Sequence, residues 1–551
     1  MTTVERNVPT PTTLERTLIA GEVTGVGSEG TFRRLRLGAG EPRLVRDELS
    51  CRDSTGNPQR RSLLVLAQIT DLQLADAQSP GRFEFFEYLR GRSGMRAFVP
   101  AYRPQEVLNV HAIDAIAAAI RSYGGSPETG APIGLVVSTG DNVDNAQLNE
   151  LTWYLSLLGG GRVVPSSGGP GYDGVQGAGW DCDLYWHPDP VGDRYKSSWG
   201  FPGYAGLLDE AAAPFDATGV GVPWMSCFGN HDGLVFGESV PTTEYRRLVI
   251  GSEKPVALPP GLDPIGRELE LFSRPERFLA GPRRGIIADQ SRQIVSRRDF
   301  VAAHLAAPGS PHGHGYSEAN LNDATAYAAY DGVEGLRLIL LDSTNLNGRS
   351  DGSLGVRQLA WLEERLAEVH SLHLSSDGRP VAAGLENRLV VLASHHGLAS
   401  LTNDREQVDG PEEDQPRVTA TEIRGLLHRF PNVVLWLNGH RHRNEIVFRR
   451  SPGQQDHGFW EVSTVSLADW PSQMRVVELV ANGDGTLSIL CTMVDHAAGP
   501  DPRTEEGRAR LASIHRELAA NVPGAGLGAT LEGSRQDRNV ELLVSAPFPL
   551  R

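Results

Sequence analysis

Five apolar runs of strand type, spread over most of the chain, each stop at a short polar cluster, and nothing else in the sequence constrains the fold as tightly. LLVLAQIT leads into Asp71 and Gln73, IGLVVST into Gly140 and Asp141, VPWMSCF into Gly229, Asn230, His231 and Asp232, RLVVLAS into His395 and His396, and VVLWLNG into His440 and His442. Open α/β sheets present their chemistry in this way, on loops just beyond the carboxyl ends of strands. A further run, LRLILLD, begins at 336. Helical spacing of apolar residues occupies 104–122, VRQLAWLEERLAEVH (356–370) and TEIRGLLHRF (421–430). Strand, helix, strand order predicts an α/β class with mainly parallel layers.

The same reading divides the chain into an N-terminal extension with one hairpin (1–60), a main domain (61–496) and a C-terminal extension (497–551). The last holds a charged helix near 503–520 and the strand NVELLVSA. Two Gly-, Pro- and aromatic-rich stretches, about 146–220 and 235–330, break the strand rhythm and are expected as insertions at the loop end of the sheet. FWEVSTVS, MRVVELV and TLSILCTM have no helices between them, and Asn482-Gly483-Asp484-Gly485 is a hairpin-turn signal. These strands are expected to finish a second sheet in antiparallel fashion.

Composition narrows the functional classes. A hydrophobic content of 40% with 22% charged residues suits an ordinary globular protein. A net charge of −16 argues against a broad nucleic-acid or anionic-membrane surface. The only lysines are Lys196 and Lys254, a bias read as genomic base composition. Cys51, Cys182, Cys227 and Cys491 form no CxxC pair, so a reducing compartment is expected. The N-terminus lacks the apolar stretch of a signal peptide and no run approaches the roughly 20 residues that span a bilayer. A cytoplasmic location is the expectation; oligomeric state is left open.

The strand-end clusters share one chemistry. Side chains two apart in a strand point the same way, so Asp71 with Gln73, and His440 with His442, are each expected to aim two donors at one point, with Arg441 facing away. Carboxylate, amide oxygen and imidazole together suit divalent Mn, Fe, Zn or Co, and the absence of thiolate argues against a purely structural zinc. A carboxylate can bridge two such ions, and Asp141 is the candidate bridge. Gly140 and Gly229 allow close backbone approach. His231 is available for proton transfer, with Asp232 expected to orient it. Asp144 and Asn145 fit either hydrogen bonding behind the ligands or a helix start. His312 and His314, in SPHGHGY, either reach a substrate phosphate or sit in a solvated loop, and PEEDQ (411–415) reads as a solvated loop.

With D-x-Q, GDxxDN, GNHD, HH and GHxH in this order from about 62 to 480, the chain resembles the calcineurin-like metallophosphoesterase superfamily, especially its bacterial branch with phosphodiesterase and phosphomonoesterase members. The segment EVSTVSLADWPSQMR, with Asp469 and Trp470, is similar to a long actinobacterial subfamily of unassigned substrate. The resemblance implies a four-layer αββα sandwich of two mixed β-sheets flanked by helices. It implies one metal on Asp71, Asp141 and His442, another on Asp141, Asn230, His395 and His440, and a catalytic role for His231. Family members usually carry D-x-H where this chain has Gln73, which is kept here as a ligand through its amide oxygen; purple acid phosphatases also lack that histidine. His395 rather than His396 matches the ligand position. The implied function is hydrolysis of a small-molecule phosphate ester, diester or monoester, by direct attack of a metal-bound hydroxide. The alternative is a catalytically weak phosphate or nucleotide sensor.

Overall fold

Burial on both faces explains why the strand runs are continuously apolar rather than alternating. The computed structural model describes residues 10–50, 60–90, 101–267, 270–271, 274–406, 416–453 and 457–550, so Cys51 and the 411–415 segment lie outside the described residues. In chain order, its main elements are β1 (Arg16–Val26), β2 (Thr31–Ala39), β3 (Leu44–Leu49), β4 (Arg61–Ile69), α1 (Asn109–Arg121), β5 (Leu135–Ser138), α2 (Leu148–Gly159), β6 (Trp224–Ser226), β7 (Ala328–Val333), β8 (Leu336–Leu340), α3 (Val356–Ala367), β9 (Leu389–Ala393), α4 (Ala420–Leu427), β10 (Val433–Asn438), β11 (Glu445–Arg450), β12 (Gly458–Ser463), β13 (Gln473–Ala481), β14 (Thr486–Asp495), α5 (Gly507–Asn521) and β15 (Val540–Ser545).

Two mixed sheets result. The seven-stranded sheet runs β3-β15-β14-β13-β4-β5-β6 and the six-stranded sheet β7-β8-β9-β10-β12-β11. Neighbours β4, β5 and β6 are parallel, as are β8, β9, β10 and β12. Side-chain alternation then sorts the layers. Val65, Ala67 and Ile69 of β4 pack outward against Ile113 and Ile116 of α1 and Leu151 and Leu157 of α2. Leu64 and Leu66 turn inward with Val137, Met225 and Val477 to meet Leu338, Val391, Leu435 and Val462 of the other sheet. The far face of that sheet, Ile339, Val390, Leu392 and Trp436, receives Leu362 and Leu366 of α3 and Ile423 and Leu427 of α4. Each such fully buried aliphatic contributes roughly 1.5–3 kcal/mol, so both the layer between the sheets and the helix-covered faces are strongly stabilising. The architecture is α/β, two mixed sheets face to face between helices.

One expectation is corrected. MRVVELV and TLSILCTM do not finish the second sheet: β13 pairs antiparallel with β4, and β14 extends that edge of the first sheet. The hairpin itself forms where the turn signal lies, Asn482 N–H reaching Thr486 C=O. Both edges of the second sheet are antiparallel, β7 pairing with β8 and β11 with β12. β11 reads EIVFRR, and its charged residues hide it from an apolar-run search.

The chain ends are woven into the first sheet, because β3 pairs in parallel with β15 at its edge. The β1–β2 hairpin packs Leu35 against Ala519 and Ala520 of α5. Lys196 donates to the carbonyls of His187, Asp189 and Val191 and so pins a loop of the 146–220 stretch. Lys254, fully buried, reaches Ser79 C=O (2.6 Å) and Glu84 (2.8 Å), tying the 235–330 stretch to the loop after β4. Among the described residues no helix is long and apolar enough to cross a membrane.

Candidate metal centre

The loops after β4, β5, β6, β9 and β10 meet at one edge of the sandwich. Asp71 and Gln73 follow β4, Asp141 follows β5, Asn230 and His231 follow β6, His395 follows β9, and His440 and His442 follow β10. The expected cause of their convergence, side-chain alternation along a strand, is overturned. Asp71 (φ 48°), Gln73 (39°), Asp141 (51°), His440 (68°) and His442 (50°) are all in the left-handed region, past the strand ends. Each such non-glycine residue costs on the order of 1 kcal/mol, a strain characteristic of functional sites. Backbone bonds hold it in place: Asp71 N–H donates to Gly140 C=O (3.1 Å) and Gln73 N–H to Asp141 C=O (2.9 Å). Gly229 and Gly439 sit where a Cβ would collide with the Asp141 and Asp71 carboxylates, respectively. Gly229 was expected in that role; Gly439 was not.

One ligand atom from each of Asp71, Asp141 and His395 falls within 4.8 Å of the others. His395 Nε2 stands 3.1 Å from Asp141 Oδ2 and 4.0 Å from Asp71 Oδ1, and His442 Nε2 stands 3.3 Å from Asp71 Oδ1. His440 places its N–H on both Asp71 oxygens (3.2 and 3.0 Å). Among the described residues two buried amide oxygens in this cluster, Gln73 Oε1 and Asn230 Oδ1, receive no hydrogen bond, and His395 Nε2 faces only the Asp141 and Asp71 carboxylates. Buried polar atoms are nearly always satisfied, so these two oxygens of metal-ligand type, on loops tied to Asp141 through the N–H groups of Gln73 and His231, fit a bound divalent cation. Gln73 and Asn230 are 4% and 2% exposed, which leaves water little access to them.

Electrostatics agree. Burial opposes the charged form of all four central groups and is outweighed by their pairing. His442 and His395 pull the Asp71 carboxyl below its ordinary value, and His395 and His231 do the same to Asp141. Against burial, Asp141 raises His395 to about 9, while Asp71 and Asp469 raise His442 to about 10. Imidazolium protons thus neutralise a pair of carboxylates where a divalent cation would do the same on displacing them.

Behind the ligands stands a buried charged frame. Thr139 C=O fixes His395 Nδ1 at 2.9 Å, and Asp469 Oδ2 fixes His442 Nδ1 at 2.6 Å. Asp469 is clamped by Arg103 (2.8 and 3.4 Å), whose own N–H meets Glu106. Glu106 binds Arg82, and Arg82 binds Asp144. Asp144 accepts from His231 Nδ1 through its carbonyl (2.9 Å), with its carboxylate 3.5 Å away. The chain from His442 to His231 is therefore continuous.

Asp232 does not orient His231, contrary to expectation. Its carboxylate accepts from the N–H groups of Asn142, Val143 and Gly229 and from Asn142 Nδ2, so it ties two loops together; Asp144 occupies the orienting position. The helix-start alternative for Asp144 and Asn145 also falls, since α2 is capped by Gln147. His396 lies against His395, ring centroids 4.7 Å apart, with a ligand atom within 4.8 Å of those of His395 and His440, but both its nitrogens already meet Ser343 Oγ (2.8 Å) and Ser350 C=O (2.7 Å). His314 is buried and stacked on Trp224 with ring centroids 3.5 Å apart, a packing role; His312 and Arg441 are exposed.

Sequence reasoning missed Asp351, 3.5 Å from His440 Nε2, and the roles of Asp469 and Arg103. Asp469 stood in a segment quoted above, but only tertiary proximity reveals its partner.

No protein-family model matches the chain, and no curated protein matches it. Among solved structures it is similar to a dimetal phosphatase from Danio rerio, at 12% identity and TM-score 0.33, covering 79% of this chain and 100% of that one. It is also similar to a purple acid phosphatase from yellow lupin (Lupinus luteus) seeds, at 11% identity and TM-score 0.29, covering 88% of this chain and 64% of that one.

Proposed function

We propose that the protein is a dinuclear metallophosphoesterase of the calcineurin-like kind, hydrolysing a small phosphate ester. The observation that carries this reading is the Asp71–Asp141–His395 cluster of ligand atoms, with two buried amide oxygens, Gln73 Oε1 and Asn230 Oδ1, left without a donor on the neighbouring loop positions. Asp71, Gln73, Asp141 and His442 would hold one cation, and Asp141, Asn230, His395 and His440 the other, with Asp141 shared. When bound, two divalent cations supply Lewis acidity, bringing the pKa of water to about 7 and neutralising charge on the phosphoryl group.

The protein's own residues do the rest. Asp71 anchors the His440 backbone, and Asp469 and the Thr139 carbonyl fix the rings of His442 and His395 so that each presents Nε2 to the centre. His231, with its Nδ1 proton on the Asp144 carbonyl, leaves Nε2 to exchange a proton with the departing oxygen, and the Asp144 carboxylate stabilises the imidazolium. No side-chain nucleophile is required.

The test is a panel of bis-p-nitrophenyl phosphate, p-nitrophenyl phosphate and cyclic nucleotides assayed with Mn, Fe, Zn and Co, together with metal analysis of the purified protein. His231→Ala is expected to lower kcat by about 10²-fold or more, and Asp141→Asn to lose both metal and activity. Turnover indifferent to both substitutions rejects the assignment. If Gln73→His raises metal content and activity together, the native centre is attenuated and the sensor reading gains.

A further inference from the structure

A cleft of about 600 Å³ lies where the β1–β2 hairpin, the end of α1, the loop after β14 and helix α5 meet, and none of the candidate metal ligands lines it. Its charged and imidazole lining consists of Arg16, Arg121, Asp495, His496, Glu505 and Arg516. That volume suits a small-molecule ligand.

The cleft wall has a one-sided hydrogen-bond deficit. Arg516 is 1% exposed; its Nη2 donates to the carbonyls of Ala498 (2.6 Å) and Gly499 (3.1 Å), while Nε and Nη1 have no partner. His496, 2% exposed, accepts from Ala498 N–H at Nδ1 (3.3 Å), so the neutral ring carries its proton at Nε2, which has no partner either. Burial keeps that ring neutral by holding it well below its ordinary value. Asp495 and Glu505 draw on Arg516 electrostatically without touching it, each held by another donor: Asp495 receives Gln473 Nε2 (2.9 Å) and Glu505 receives Gly499 N–H (3.1 Å). Among the described residues no carboxylate stands within ion-pair reach of Arg516.

Among the described residues every buried side-chain atom left unpaired at this wall is thus a donor, and what complements it is an acceptor. A guanidinium without an anionic or carbonyl partner is costly to bury, which makes a charged acceptor the better complement. At the mouth, Arg16 and Arg121 are exposed, adding positive charge in a chain whose net charge is −16. We propose that this cleft is a binding site for a small molecule carrying an oxyanion, phosphate or carboxylate, held by Arg516 and His496 with Arg16 and Arg121 at the entrance.

Isothermal titration of the full chain with inorganic phosphate, sulfate, acetate and citrate tests this. Saturable binding is expected, and preference for the first pair or the second identifies the ligand as phosphate-like or carboxylate-like. Arg516→Met should weaken it by about tenfold or more. Should that variant fail to fold, the exposed pair Arg16→Ala with Arg121→Ala should still weaken binding by about tenfold while leaving ester hydrolysis unchanged. Binding must persist in Asp141→Asn, which separates this cleft from phosphate held at the metal centre. The proposal is overturned by no saturable binding of any of the four probes, by undiminished affinity in the arginine variants that fold, or by loss in Asp141→Asn alone.

Discussion

Asp469 shows how much of a metal centre resides in side chains that never touch the metal. Bidentate pairing with Arg103 and a short bond to His442 hold its carboxyl below the ordinary range against the opposing effect of burial. Asp469→Ala removes the acceptor and frees the imidazole to rotate, so metal affinity should fall by about 10- to 100-fold, read by metal content and by activity against added metal. Asp232→Ala should behave differently. It strands three backbone N–H groups, while the Asn142 amide keeps its bond to the Cys227 carbonyl, so the expected effect is a stability loss on the order of 3 kcal/mol in urea unfolding. Were Asp232 the orienter of His231, kcat would fall with stability intact. The ligand types were legible at this scale because carboxylate, amide and imidazole at strand ends leave little other chemistry. Their left-handed backbones were not, because positive φ at Asp71 or His442 is imposed by cross-loop hydrogen bonds and leaves no mark in a local sequence pattern.

Among elements, position was easier to read than pairing. β4, β5, β9 and β10 were visible as apolar runs, and α1, α3 and α4 as helical periodicities. β13 and β14 were equally visible but assigned to the wrong sheet, since Val476 and Val477 are apolar on both faces and nothing local says that β4 is their neighbour. Close approach of elements gives a sharp test. The loop after β10 passes so near the Asp71 carboxylate that Gly439 has no room for a side chain. Gly439→Ala should abolish metal-dependent activity while far-ultraviolet circular dichroism stays native, because the displacement is confined to the loop. A fully active Gly439→Ala protein would mean that the loop does not hold Asp71 in place.

For the whole molecule, buried carboxyls set a pH dependence. Burial, reinforced by Asp144, raises Glu150 from its ordinary 4.5 to about 8. Its folded pKa lies above its unfolded one, so the folded state binds the extra proton, and the contribution to stability is full below 4.5 and is lost as pH rises toward about 8. Glu150→Gln should remove that slope: the stability difference between variant and parent, from urea midpoints at acid, neutral and alkaline pH, should shift in favour of the variant as pH rises. A constant difference contradicts the assignment. A second global property follows from where the ligands originate. Asp71, Gln73, Asp141 and Asn230 follow strands of one sheet, His395, His440 and His442 strands of the other, and the seam between them is mainly apolar, crossed by hydrogen bonds from the buried Gln68 and Arg475. Cations seated there would act as rivets between two halves of the sandwich, binding the native state alone. Chelation should therefore lower the melting temperature as well as silence turnover, and calorimetry with and without chelator reads the size of that clamp.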